Sequence, residues 1–204
     1  MSYSDDYFLR TNRMLLYNIM PIANLPSVFK YGVLSNNEMQ KKNFYISVAD
    51  PEVQAIREGV TVPNKLSLHS YANLYFDAHN PMLSRLRPRN NELCVLGIDI
   101  SILNEPGVVL SDMNAARSMV AFYDVKNGIK MIEFEKVFQH YWTSPDALEE
   151  YFNKGIKCAE ILIPNRVRPS FIKKIFVINE SVKNKILAHN CINIEIDITP
   201  GLFF

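Results

Sequence analysis

The amino-acid sequence predicts an α+β fold, and three observations carry that reading. Short apolar runs of strand length alternate with helix starts along all 204 residues, without the regular strand–helix–strand rhythm of a parallel sheet. No Gly-x-Gly-x-x-Gly follows a strand and no P-loop is present, so the familiar parallel-sheet nucleotide sites are not supported. Hydrophobic residues make up 48% and charged residues 21%, which supplies a packed core for one domain spanning residues 1–204.

Taken in order, Met14 to Ile19 is apolar and reads as a first strand. Asn24-Leu25-Pro26 reads as a helix start, a cap followed by an early proline, and Gly32 closes that helix. Asp50-Pro51-Glu52 opens a second helix, which carries Arg57. Leu74 to Phe76, Leu93 to Ile100 and Val108 to Leu110 follow as strands, the middle one apolar enough to be buried. A helix is expected after Asp112, running through Ala115, Val120 and Phe122. Glu133 to Trp142 is amphipathic, and Ser144-Pro145 caps a helix through Leu148 and Phe152 that ends near Gly155. Cys158 to Ile163 is a strand. Ile175 to Ile178 and Ile192 to Ile198 complete the strands, with a helix from Ser181 to His189 between them.

Several function classes are excluded by composition. No apolar run approaches the roughly 20 residues of a membrane span. The start, MSYSDDYFLRTNR, lacks a basic segment leading into an apolar one, so a cytoplasmic rather than a secreted protein is expected. Cys94, Cys158 and Cys191 are too widely spaced for a disulfide framework or a metal pattern, and the four histidines do not cluster with them, so no metal is expected. The net charge of +1 lacks the basic excess of a duplex-binding protein, so any nucleic-acid role rests on local patches or single strands.

Glu160 is the least ordinary residue, a carboxylate inside the apolar strand Cys-Ala-Glu-Ile-Leu-Ile-Pro. Alternation puts Cys158, Glu160 and Leu162 on one face, either the wet face of an edge strand or a buried functional position. His69 and Tyr71 precede the strand at Leu74, and a lone histidine beside an apolar run is more often a satisfied structural group than a catalyst. Arg57 alone reads as a surface cation, and Asp112 as a helix cap. Asn80 to Arg89, with Met82, Arg85, Arg87 and Arg89, either clamps phosphates or is a solvated loop; Arg166, Arg168, Lys173 and Lys174 pose the same choice.

Read in order, these segments resemble the DarT family of DNA ADP-ribosyltransferase toxins. The resemblance runs through Ile22-Ala23-Asn24-Leu25-Pro26-Ser27-Val28, Gly32-Val33-Leu34-Ser35, Asp50-Pro51-Glu52-Val53-Gln54 and Arg57. It continues through Leu68-His69-Ser70-Tyr71, Leu74-Tyr75-Phe76, Asn80-Pro81-Met82-Leu83 and Ser111-Asp112-Met113-Asn114-Ala115-Ala116. It ends with Phe122-Tyr123, Ala159-Glu160-Ile161-Leu162 and Val167-Arg168-Pro169. Two positions depart from the family: no histidine stands near Pro21, and Met113 replaces a frequent glycine.

The resemblance implies a mono-ADP-ribosyltransferase fold, two facing small β-sheets with short flanking helices and NAD, the co-substrate, in the cleft between them. It implies that Glu160 is the catalytic carboxylate, with Arg57 a second essential residue. Asn24, Leu25, His69, Tyr71 and Asn114 would then lie near the cofactor, and Met82, Arg85, Arg87, Arg89 and Arg166 would face the DNA. It further implies NAD-dependent mono-ADP-ribosylation of a base, thymine or guanine, in single-stranded DNA, and a DarG-like macrodomain antitoxin that reverses it. The alternatives are the same fold acting on RNA or protein, and a catalytically silent NAD-binding module. Tyr151 and Phe152, on the segment before Glu160, either stack a base or pack a helix.

Overall fold

The structure, a computed structural model, describes residues 1–42, 46, 50–63, 65–188 and 194–204. The predicted helix end at His189, the strand start at Ile192 and the thiol of Cys191 lie outside the described residues.

The first helix, α1 (Tyr3–Thr11), is held by a capping box between Ser2 and Asp5, a signal the polar start of the sequence contains. The strand β1 (Leu15–Pro21) follows, then α2 (Leu25–Tyr31), with Gly32 at φ 88° as its terminator. β2 (Val33–Leu34), α3 (Asn36–Gln40) and α4 (Pro51–Glu58) come next. β3 (Tyr71–Tyr75) leads into α5 (Pro81–Arg85) and a 3-10 turn over Arg87–Glu92, so the segment of arginines is helical rather than a loop. Then come β4 (Leu93–Asp99), β5 (Val109–Ser111), β6 (Phe122–Asp124), α6 (Val125–Met131) and α7 (Phe134–Phe138). The chain finishes with α8 (Ala147–Lys157), β7 (Glu160–Pro164), β8 (Arg166–Val167), β9 (Ile172–Val177), α9 (Glu180–Leu187) and β10 (Glu195–Ile198).

Eight strands form one sheet in the order β10-β9-β4-β1-β3-β7-β5-β6, and β2 pairs with β8 in a separate ribbon. The two small sheets expected are the two four-stranded halves of this sheet, joined between β1 and β3 by the single register pair Tyr17–Tyr75. Beyond that pair the strands part, and the Asn18 side-chain amide donates to the Asn73 carbonyl at 3.0 Å in place of a ladder bond. The mouth of the cleft opens where this ladder fails.

The main core covers one face. Leu16 and Met20 of β1, Ala72 and Leu74 of β3, Leu96 and Ile98 of β4, and Ile161 and Ile163 of β7 pack there against Tyr7, Val28, Ile129, Val137 and Ile186 of the helices. Because side chains alternate, the same strands present Ile19, Tyr71, Asn73, Tyr75 and Glu160 to the other face. No helix among the described residues is long and apolar enough to cross a membrane.

Four local expectations are corrected. Residues after Asp112 form turns, not a helix: Asp112 accepts a hydrogen bond from the Ala121 amide at 3.0 Å and closes a loop ahead of β6. Asn24 does not cap α2; its side chain donates to and accepts from the backbone of Ile46, at 2.8 and 3.2 Å. The amphipathic stretch from Glu133 is helical only over α7, since Gln139 turns to extended backbone. α8 is capped by Asp146, which accepts from the Leu148 and Glu149 amides, while the Ser144 hydroxyl is engaged by Glu149.

Candidate active site

Glu160 is the first residue of β7, an interior strand between β3 and β5, and its side chain is fully buried. The wet-edge reading of this carboxylate is therefore excluded. Register places it beside Tyr75 on the cleft face. A carboxylate without water must be satisfied by the protein, and three hydrogen bonds from two donors do so. Arg57 Nη1 donates to Oε1 at 2.9 Å and to Oε2 at 3.1 Å, and the Ala115 amide donates to Oε1 at 2.9 Å. The Glu160 amide in turn donates to the Ser111 hydroxyl at 3.1 Å, and that hydroxyl donates to the Met113 carbonyl at 2.7 Å.

Arg57 comes from the last turn of α4, whose start is fixed by Pro51 and by the Asp50 cap on the Glu52 amide. The side chain that α4 buries is this arginine, so the surface-cation reading fails. Burial pulls its pKa down, but the charge and hydrogen bonds of Glu160 outweigh that and leave it above the ordinary arginine value. The pair joins residues 103 positions apart in the chain.

The cleft beside the pair is lined by Asn18, Ile19, Leu34, Gln54, Arg57, His69, Tyr71, Asn73, Tyr75 and Met82. His69 Nε2 is buried and has no hydrogen-bond partner among the described residues. Desolvation first, and the Arg57 charge second, hold the His69 pKa below its ordinary value, so the ring is neutral at pH 7. Burial raises the Tyr75 hydroxyl far above its usual range, with Glu160 adding to it, and that hydroxyl donates to the Met82 sulfur at 3.1 Å.

Of the predicted residues, the structure brings Arg57, Glu160, His69, Tyr71 and Met82 to one cleft. Asn24 and Leu25 are buried where α2 starts, and Asn114 turns its side chain back on the Ala116 amide. The basic groups are dispersed. Arg85 is engaged by Asp50, Arg89 pairs with Glu92 at 3.0 Å and Arg168 with Glu105 at 2.9 Å. Lys173 and Lys174 face Asp99, Glu195 and Asp197 on other strands. Arg166 stays exposed, with one long bond at 3.4 Å to the Tyr31 carbonyl, and Arg87 is exposed as well.

Sequence reasoning passed over Ser111, the Ala115 amide, Asn73 and Tyr75. The polar alternation Tyr71-Asn73-Tyr75 was the available signal for the last two. Among the described residues no group of three His, Cys, Asp or Glu side chains is placed to hold a metal.

The family model described as ssDNA thymidine ADP-ribosyltransferase, DarT, matches residues 17–204. The chain belongs to the DarT family. A DNA ADP-ribosyl transferase–DNA ADP-ribosyl glycohydrolase fusion protein of Thermosipho africanus is 30% identical over 200 residues, covering 93% of this chain and 49% of that protein. The chain therefore spans about half the length of that DarT relative. Thermosipho africanus DarTG in complex with ADP-ribose superposes with a TM-score of 0.80 at 29% identity, over 94% of this chain and 51% of that one. Thermus sp. 2.9 DarT in complex with ADP-ribosylated ssDNA gives a TM-score of 0.80 at 20% identity, over 95% and 97% of the two chains, a likeness of fold. The α+β ADP-ribosyltransferase fold that the DarT resemblance implied is thus the fold of this chain.

Proposed function

We propose that this chain is one DarT-type domain that uses NAD to ADP-ribosylate a thymine base of single-stranded DNA. The observation that carries the reading is the buried Arg57–Glu160 pair at the floor of a cleft whose rim holds an unpartnered His69 Nε2. Thymine is preferred over guanine because the matching family model is described by thymidine.

The residues fit such a co-substrate. His69 offers a buried ring nitrogen with no hydrogen-bond partner among the described residues, and Asn73 and Tyr71 line the same cleft. In the reaction the bond between nicotinamide and its ribose breaks, and its electron pair leaves with nicotinamide. A thymine nitrogen forms the new bond and gives up its proton to solvent. Positive charge develops on the ribose, and a fixed carboxylate stabilises it. Glu160 is suited to this because Arg57 and the Ala115 amide hold its side chain oriented before any substrate arrives. Arg57 is then chiefly the partner of Glu160, since its Nη1 is spent on both carboxylate oxygens.

The fusion of a glycohydrolase to the transferase in the Thermosipho relative supports a macrodomain antitoxin as partner, and with it a toxin acting in the cytoplasm. The test is mass spectrometry of a mixed pool of single-stranded DNA, duplex DNA and RNA after incubation with NAD. ADP-ribose on thymidine of single-stranded DNA is the expected product. Label on RNA or on protein, or no consumption of NAD, would overturn the reading.

A further inference from the structure

We propose that Arg117, stacked on Tyr151, grips a phosphate of the acceptor strand beside the reacting centre. The inference rests on the DNA-modifying reading above and names a contact for it. The guanidinium carbon of Arg117 lies 3.8 Å from the centroid of the Tyr151 ring, and that ring is 47% exposed. One helical turn further along α8, the buried Gly155 packs against the loop that bears Met113 and Arg117. A Cβ there would stand 3.6 Å from Met113 and 3.7 Å from Arg117 Nε. The loop bearing Arg117 is fixed on α8, because the Asn114 amide donates to the Gly155 carbonyl at 2.9 Å and the Arg117 amide to the Asn114 carbonyl at 2.9 Å. Between them stands Ala115, whose amide holds Glu160. Arg117 is therefore anchored two residues from the group that orients the carboxylate.

Its charge is not offset. Arg85, Arg89 and Arg168 each face a carboxylate, whereas Arg117 has no carboxylate partner among the described residues. The charge also reaches inward, since it is one of the influences that lower the otherwise raised thiol of Cys158. Stacking on a ring occupies the face of a guanidinium and leaves its N–H edges for a phosphate, a geometry suited to single-strand binding. The phosphate could belong to the DNA or to the NAD pyrophosphate. The strand is favoured because Arg117 does not line the cleft of His69 and Tyr71; Glu160 is bonded to Arg57 on that side and to Ala115 on the other.

The experiment measures transfer to a thymine-containing single-stranded oligonucleotide by wild type, Arg117→Gln and Tyr151→Leu, across a range of salt concentrations. Arg117→Gln is expected to raise KM for the oligonucleotide about tenfold, the loss of one charge-assisted bond. It should also make the slope of log kcat/KM against log salt shallower by about 0.7, one phosphate contact on a single strand, with KM for NAD unchanged. Tyr151→Leu keeps the charge, so it should raise the oligonucleotide KM at the wild-type slope. A wild-type slope in Arg117→Gln, or a loss confined to kcat, would show that the stack only staples the loop and would overturn the inference. A rise in the NAD KM instead would assign the guanidinium to the pyrophosphate and overturn it equally. Should Arg117→Gln fail to fold, an unchanged oligonucleotide KM in Tyr151→Leu refutes the platform. Absence of transfer to DNA by the wild type would sink the parent reading and this one together, whereas wild-type transfer with an unaltered Arg117→Gln slope sinks this one alone.

Discussion

Glu160 is both a structural counter-ion and the proposed catalytic carboxylate, and the two roles separate on substitution. Glu160→Ala removes a fully buried anion, leaves Arg57 with only 8% of its side chain exposed and no counter-charge, and strips the Ala115 amide of its acceptor. Breaking a buried pair from one side costs about 3–5 kcal/mol. In a domain of this size each kcal/mol moves Tm by roughly 2–4 °C. The expected fall in Tm is therefore about 6–20 °C. Glu160→Gln keeps the volume and a carbonyl acceptor, so its melting point should lie between wild type and Glu160→Ala. Replacing both partners, Arg57→Met with Glu160→Leu, should recover most of the loss, because an apolar pair of similar volume avoids the desolvation of two charges. Transfer activity should fall at least about a hundredfold in all three, since each lacks the charge that faces the developing cation. The assay is thermal denaturation beside labelled ADP-ribose transfer, on the same preparations. A Tm for Glu160→Ala within about 2 °C of wild type would refute the energetic reasoning, because it would mean the pair is solvated. Near-wild-type transfer by Glu160→Gln would refute the catalytic assignment.

Three further outcomes are expected. The His69 pKa lies below the ordinary 6.5, so just below that pH the folded ring binds fewer protons than the unfolded one. The contribution of neutral His69 is thus complete above pH 6.5 and is lost as pH falls through its lowered value, so KM for NAD should be flat from pH 8 to 6.5 and climb only as pH falls through that lowered value; a KM that already climbs between pH 8 and 6.5 would contradict the neutral ring. Cys94 and Cys158 are buried, and burial pushes both thiols up to about 12, so neither should be alkylated by iodoacetamide at pH 8 in native protein; peptide mapping that finds either labelled would contradict this burial. Gly32 sits at φ 88° with the Val167 carbonyl oxygen 2.0 Å from where a Cβ would be, so Gly32→Ala should displace the β2–β8 ribbon and lower Tm measurably; an unchanged melting curve would argue against that close approach.

The sequence by itself determined the class of fold, the approximate strands and the face that Glu160 occupies, because these follow from local periodicity and from turn residues such as Gly32 and Asp50-Pro51. It also placed Glu160 and Arg57 as chemistry-bearing residues through the order of weak motifs, a resemblance that the family match over residues 17–204 bears out as to the family. What it left open was pairing. Periodicity gives the face of a strand but not the element that will stand against it, so an arginine on a polar helix reads as solvated until α4 is laid over β7, 103 residues away. Local preference also failed where one side chain had competing uses: Asp112 closes a loop on Ala121 instead of starting a helix, and Asn24 reaches Ile46 instead of capping α2. The apparent basic clusters dissolved for the same reason, since Lys174 meets Asp197 and Arg168 meets Glu105 only once the strands are side by side. Charge is a property of residues, but its compensation is a property of contacts, and those are made by the tertiary structure.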